Sequence, residues 1–458
     1  MALTAKVSTG DGARGDLDGV QRSVVIVGGG QAGLSMSYCL TQRSVDHVVL
    51  EREHIGHEWR DRRWGSFCLV TPNWQCQLPG FPYTGDDPDG FMSRDEIVQY
   101  IEGYVKSFGP PMIEGVAAIR LRRDRKGRYL VGTSRGEMIA DQVVLATGPY
   151  QVPLIPRLAD RLPDHLTQIH SSQYRGPDQL PPGEVLVVGT GQSGCQIAED
   201  LHLAGRQVHL AVGSAPRVAR FYRGRDVVAW LDDIGYYRKA VSEFADADTV
   251  RFRVNHYVTG RDGGRDIDLR AFARDGMRLY GRLVEVTGTT LRCAPDLGRN
   301  LDNADAVAES IKDSIDSYIA AHHISAVTEP RYTPVWAPAP APAHTQLDLG
   351  NTGVSSVIWS TGFGRDDRWI EVPVFDGRGY PTYDRGVTAS PGLYFIGLPW
   401  QHTWGSGRLS GVAEDAAYLS ERIITSASQP DHWFRWIAGT PTNTYPRDDD
   451  WVAPRTVA

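Results

Sequence analysis

The pattern G-x-G-x-x-G occurs twice, as Gly28-Gly29-Gly30-Gln31-Ala32-Gly33 and as Gly189-Thr190-Gly191-Gln192-Ser193-Gly194. Each copy follows an apolar run, Ser23–Val27 or Glu184–Val188, and precedes a stretch of helical periodicity, Leu34–Leu40 or Cys195–Leu203. A strand that turns through glycine into a helix presents unpaired N–H groups and the positive end of the helix dipole, which together hold a phosphate. One such turn is weak evidence. Two in the same context predict two dinucleotide sites. A second apolar run, His47–Leu50, ends in Glu51, whose carboxylate suits a ribose diol, and Arg52 follows it. The matching run of the second unit, Gln207–Val212, leads instead into Gly213-Ser214-Ala215-Pro216-Arg217, with no acid. Ser214 and Arg217 are therefore expected to bind a 2′-phosphate, making NADPH the coenzyme expected at Gly189–Gly194. The alternative is that Arg217, Arg220, Arg223 and Arg225 form a solvated basic face.

The elements around these turns define an architecture. Residues 116–146 have the alternation of a small antiparallel meander with turns at 123–127 and 135–136, closing on Val143-Val144-Leu145-Ala146-Thr147-Gly148. That run has a twin in Val357-Ile358-Trp359-Ser360-Thr361-Gly362. The twins are expected to bracket an insertion. The predicted fold is α/β, with two Rossmann-like dinucleotide-binding domains, the second, NADPH-binding one inserted into a discontinuous first one. The expected boundaries are a flexible tail over 1–22, a first domain over 23–165 and 345–458, and a second over 166–344. The Pro/Ala-rich residues 333–343 predict an extended crossing loop. Ala304, Val307, Ala308, Ile311, Ile315 and Ile319 recur at helical spacing and predict a core-facing stripe.

Composition narrows the function. The 458 residues are 41% hydrophobic and 22% charged with a net charge of −7, which fits globular domains and disfavours a nucleic-acid partner. The five cysteines, Cys39, Cys68, Cys76, Cys195 and Cys293, form no C-x-x-C pair, against dithiol-reductase and zinc-ribbon chemistry. No window approaches about 18 uninterrupted apolar residues, and residues 1–22 lack a signal-peptide core, so the expectation is a cytoplasmic protein with no membrane partner. A homodimer is the candidate assembly. No Ser/His/Asp, paired-carboxylate or metal-ligand grouping stands out, so no metal is expected.

The chain resembles bacterial single-component flavin-containing monooxygenases related to the plant YUCCA enzymes, and is similar to a branch of uncharacterised flavoproteins, some associated with nitrilases. The resemblance covers nearly all residues after 22. It rests on the two glycine turns, Trp59-Arg60, Arg63-Trp64-Gly65-Ser66-Phe67, Thr71-Pro72-Asn73-Trp74, Ile169-His170 through Tyr174, Trp359 through Phe363, and Gly392 through Trp400. Of the family's F-x-G-x-x-x-H-x-x-x-Y/F motif only the His170…Tyr174 half is present, which argues against the heteroatom-oxidising and Baeyer–Villiger groups. The resemblance implies FAD at Gly28–Gly33, NADPH at Gly189–Gly194, and oxygen transfer from O2 to a small organic substrate through a C4a-(hydro)peroxyflavin. Trp59, Trp64, Thr147, Gly148, Gly397 and Ser406 are expected along the flavin. The helix expected over Val412–Ile424 would direct its N-terminus at the flavin pyrimidine.

By the same resemblance Asn73 is the candidate amide that protects the oxygenated flavin, the alternative being an Asn that satisfies a turn beside Pro72. Trp64, Trp74, Trp400 and Trp404 are candidates for a dry aromatic substrate pocket, the alternative being large core residues. His402 is a candidate acid or base, or else a structural histidine. Rival functions are an NAD(P)H-dependent flavin oxidase or reductase that releases peroxide, and a flavoprotein redox sensor.

Overall fold

Val24 and Ile26 face one hydrophobic core while Val25 and Val27 face another. That alternation is required of a strand covered on both sides. In the computed structural model, which describes residues 16–340 and 342–428, this run is strand β1 (Gln21–Val27). The first sheet continues with β2 (His47–Leu50), β3 (Met112–Ile113), β4 (Ala118–Arg123), β5 (Tyr129–Thr133) and β6 (Gly136–Leu145). Its order is β3-β2-β1-β6-β5-β4. The β3-β2-β1-β6 pairings are parallel and β4, β5 and β6 form the expected antiparallel meander. Helices α1 (Gln31–Thr41) and α2 (Arg94–Phe108) cover one face. A capping box closes the start of α2, where Ser93 Oγ accepts from the Glu96 N–H and the Glu96 carboxylate accepts from the Ser93 N–H.

The second sheet contains β7 (Thr167–His170), β8 (Glu184–Val188), β9 (Val208–Ala211), β10 (Arg278–Tyr280) and β11 (Val354–Trp359), ordered β7-β11-β8-β9-β10 with every pairing parallel. Val185 and Val187 face one core, Leu186 and Val188 the other. Helix α3 (Gln192–Leu203) follows its glycine turn, and α4 (Leu297–Ala321) buries Ala304, Ala308 and Ile315 from the expected stripe. Residues 333–340 carry neither helix nor strand. The chain then returns to the first sheet as β12 (Leu393–Phe395) beside β6, and ends its described part in α5 (Val412–Ser428). No described helix is long and apolar enough to cross a membrane.

Two expected boundaries move. The second domain does not end at 344, because β11 pairs with both β7 and β8 at the centre of the second sheet. The tail does not run to 22 either: Leu17 is buried in the first core, and its N–H reaches the Arg135 carbonyl at 3.1 Å. Residues 1–15 lie outside the described part. A single buried leucine beside alternating charges carries no periodicity to read.

The two turns repeat each other in detail. Gly28 has φ +110° and a Cβ there would stand 2.5 Å from the Ala146 carbonyl oxygen; Gly189 has φ +103° and the same atom would stand 2.6 Å from that of Ser360. Ala146 and Ser360 occupy equivalent places in the twin runs that leave β6 and β11. A Cβ on Gly33 would lie 1.9 Å from the Gly28 oxygen, and one on Gly194 2.0 Å from the Gly189 oxygen. Gly33→Ala is therefore expected to lower stability by roughly 1–3 kcal/mol or more through overpacking. Gly30→Ala, whose Cβ meets nothing within 4 Å, is expected to cost no more than about 1 kcal/mol. Urea unfolding of the two flavin-free variants against the parent checks the contrast.

Candidate active site

Gly30 and Gly191 are the N-caps of α1 and α3, and neither helix start has a side-chain cap. The first-turn N–H groups thus lack side-chain acceptors, and a Cβ at Gly30 would point into open space. That cradle fits a phosphate. Glu51, at the end of β2, folds back on the first turn: its Oε2 accepts the Gly29 N–H at 2.6 Å and its Oε1 the Glu53 N–H at 2.9 Å. Arg52 is exposed. From the far end of the sequence, Gly397 (φ +85°) reaches the turn so closely that a Cβ would lie 2.6 Å from Ala32 Cβ, while Gln31 Nε2 donates to the Gly407 carbonyl at 3.2 Å. Thr147 and Gly148 leave β6 beside these groups, held by Gln151 Nε2, which donates to Thr147 Oγ1 and to the Gly148 carbonyl. Gly28–Gly33, Glu51, Thr147, Gly148 and Gly397 form one neighbourhood.

At the second turn Gln192 Nε2 donates to the Val258 carbonyl at 2.6 Å, and Ser193 and Ser214 are exposed. Arg217 is a correction. It is 3% exposed, its Nε sits 2.6 Å from Asp305 Oδ1, and its guanidinium lies 4.0 Å over the Tyr332 ring. Burial alone would lower its pKa, but Asp305, Tyr332 and Asp268 outweigh that and hold it raised. A cation so compensated is not offered to a phosphate. The solvated-face alternative holds only for Arg225, which is exposed in a surface pair with Asp233, since Arg220 is buried against Asp226 and Arg223 is half-buried against Asp316. Those aspartates lie close by or far along the chain, and sequence order does not show which arginines they neutralise. An exposed cation near the second turn in the chain is Arg253, the neighbour of Val254, whose Cγ1 lies 3.9 Å from a Cβ placed on Gly191.

Asn73 is a second correction. It is 4% exposed; its Nδ2 donates to the Asp87 carbonyl at 2.9 Å and its Oδ1 accepts the Met92 N–H at 2.7 Å. Both ends of the amide pin the 87–92 loop, a structural role different from satisfying the turn beside Pro72. Trp64 lies in the core of the second domain, edge-on to Phe67 at 5.1 Å and tilted against Tyr174 at 5.9 Å. Trp59 is half-buried and packs with Phe67, the Arg63 guanidinium 5.4 Å from its ring. Trp74 is half-buried, and its carbonyl accepts from Gln77 Nε2 at 2.6 Å. Ser406 is fully buried, and its Oγ accepts the N–H groups of His402 and Thr403 at 3.0 and 3.1 Å. It shapes the Gly405–Gly407 turn and is closed to a ligand.

Trp400 and Trp404 do converge, on a segment of the second domain that sequence reasoning passed over. Trp400, in a left-handed conformation (φ +51°), packs against Tyr236 at 6.1 Å and Phe244 at 5.4 Å. Trp404 packs on Tyr237 at 4.5 Å. The His402 carbonyl accepts the Val241 N–H at 2.7 Å, fastening the two segments. Arg408 stacks 3.8 Å from Trp404 and donates to Asn255 Oδ1 at 3.0 Å, with no ion pair among the described residues. Burial pulls its pKa below the usual arginine value. Burial likewise raises the pKa of Asp415 in the first turn of α5, tempered by Ser406, Arg385 and His402. Tyr236, Tyr237 and Arg408 carried no motif, because they meet only across the domain junction.

Residues 25–266 match the family described as pyridine nucleotide-disulphide oxidoreductase. The chain belongs to that family. An uncharacterised CzcO-like oxidoreductase of Geobacillus kaustophilus is 32% identical over 88% of this chain and 98% of its own length. Indole-3-pyruvate monooxygenase YUCCA1 of rice is 32% identical over 42% of this chain and 48% of its own length. Among solved structures, a flavin-containing monooxygenase from Stenotrophomonas maltophilia matches with a TM-score of 0.61 at 20% identity, over 89% of this chain and 99% of that one. This oxidoreductase therefore has the fold of two-dinucleotide-domain flavin monooxygenases.

Within the family, this oxidoreductase lacks a dithiol. All five cysteines are free and buried. Burial pushes the thiols of Cys39 and Cys68 up to about 11 and those of Cys76 and Cys293 to about 12. Protonated, separate and shielded thiols do not exchange with a disulfide.

Two substitutions test the corrections. Arg217→Met is expected to lower stability by about 3 kcal/mol and leave the NADPH-to-NADH preference unchanged. Asn73→Ala removes two buried hydrogen bonds and is expected to cost about 2–4 kcal/mol. Thermal unfolding alongside coenzyme titration separates these structural roles from site roles.

Proposed function

We propose that the chain is an FAD- and NADPH-dependent monooxygenase, with NADPH and O2 as co-substrates, that places one atom of O2 in a small organic molecule through a C4a-(hydro)peroxyflavin and releases the other as water. The observation that carries this reading is the junction at the first glycine turn. Gly397 and Gly407 of the C-terminal segment abut Ala32 and Gln31, and the same segment presents Trp400, Trp404 and Arg408 to aromatics of the inserted domain. A flavin held at Gly28–Gly33 supplies oxygen-activating chemistry beside an aromatic wall, and the second turn supplies a place for the reductant. The chain's own contribution is electrostatic and steric. Arg408 and the N-terminus of α5 put positive charge at one end of the junction, which favours an electron-rich reduced ring. The tryptophan–tyrosine clamp excludes water and suits a flat, apolar or aromatic substrate. His402 is the group proposed to move a proton.

The test is anaerobic reduction by NADPH followed by rapid mixing with oxygen, with peroxide measured at the end. A long-lived absorbance of oxygenated flavin and little peroxide are expected. Prompt reoxidation with one peroxide per NADPH would make the protein an oxidase, and no reoxidation coupled to NADPH would favour the redox sensor. Chromatography of the released flavin decides between FAD and FMN.

Coenzyme choice is assigned to Ser214 and Arg253. Arg253→Ala is expected to raise KM for NADPH about 10- to 100-fold while changing that for NADH little, from loss of a charge-assisted hydrogen bond. Equal loss for both coenzymes would place Arg253 on the shared pyrophosphate.

A further inference from the structure

We propose that His54, His57 and Asp61 form a site for a divalent transition-metal ion of zinc type, separate from the flavin and coenzyme turns. The three residues lie in the segment that runs from the end of β2 to the Trp59–Phe67 stack. Gly56, with φ +75°, reverses the chain between the two histidines, and the single helical turn His57–Arg60 then brings Asp61 back under His57. His54 Nε2 lies 2.9 Å and His57 Nδ1 3.1 Å from Asp61 Oδ2, and the three donor atoms all fall within 4.8 Å of one another. Two donors bound to one zinc at 2.0–2.1 Å with a tetrahedral angle stand about 3.3 Å apart. The existing spacing is within a small side-chain adjustment of that geometry.

The second observation is an unmet valence. His57 Nδ1 and Asp61 Oδ2 are both shielded from solvent, and neither completes a hydrogen bond despite their proximity. Atoms that are close but misdirected for N–H···O are suited to a shared cation, which accepts a lone pair from each. His54, on the exposed side, supplies the third ligand and leaves the fourth position to water. The segment is already anchored at one point, where the Ile55 N–H donates to Glu114 Oε1 at 2.7 Å. A bound ion would tie His54, three residues after Glu51, to Asp61, two residues after Trp59. One neighbour opposes binding. Arg62 Nε points at His57 Nε2 from 3.5 Å, and a ring ligated through Nδ1 carries its proton on Nε2, so Arg62 must turn away.

The experiment is a zinc titration of the flavin-loaded full chain, first stripped with a chelator, against a chromophoric competitor. One equivalent of zinc is expected to bind. His54→Ala and Asp61→Asn are each expected to weaken binding at least about tenfold, with flavin content unchanged because His54 is exposed and remote from the fold's core. Arg62→Gln is expected to bind zinc at least as tightly as the parent. Absence of stoichiometric uptake by the parent, parental affinity in both ligand variants, or weaker binding in Arg62→Gln would each overturn the site. None of these outcomes depends on the reaction at the flavin.

Discussion

A missing Cβ holds the molecule together at two equivalent places. At Gly33 and Gly194 a helix leans on the turn that precedes it so closely that the added carbon would lie 1.9 or 2.0 Å from a carbonyl oxygen. That approach draws the first turn of each helix over the end of its strand and aims unpaired N–H groups past the sheet edge. It also sets where α1 and α3 lie on their sheets, and hence which residues reach the cores on either side of β1 and β8. The first glycine of each turn makes a matching contact with the strand that carries the chain out of the sheet. The glycine turn and the domain crossing are thus built from the same backbone.

The two domains are joined by polar contacts as specific as the turns. Asp200, on α3 and 5% exposed, accepts hydrogen bonds from Ser66 of the first domain, from Tyr174 and from Arg261, at 2.5, 2.7 and 2.8 Å. Arg220 reaches in the opposite direction and donates to the Val70 carbonyl at 2.6 Å. Buried charges with several partners resist sliding, since a shift of one residue would leave an uncompensated ion. Trp64 and Phe67 fill the apolar part of the same junction. This explains why residues shortly after Glu51 serve the second domain's core.

The aromatic clamp shows how the inserted domain completes what the first domain lacks. Trp400 and Trp404 come from the return segment, Tyr236, Tyr237 and Phe244 from the insertion, and a backbone hydrogen bond from Val241 to His402 fixes the pair. Trp400 holds a left-handed backbone there, a strain that tertiary contacts sustain. Arg408, half-buried over Trp404 and without an ion pair among the described residues, is the cation at the edge of the clamp.

What the sequence determined by itself was periodic or local. Apolar runs of strand length, glycines at fixed offsets and an acid after the second strand established both turns, the meander and the α/β class, because each depends on near neighbours in the chain, and the repeated run at 143–148 and 357–362 marked the insertion. The absence of a dithiol was equally legible. What only tertiary structure decided was the fate of individual polar side chains. Arg217 and Asn73 have the right chemistry at suggestive positions, yet Asp305 neutralises one and the backbone of 87–92 consumes the other. The joining of Trp404 to Tyr237 was invisible for the same reason. A hydrogen bond or ion pair is decided over a few ångströms in space, and chain order does not record which distant groups fall within that reach.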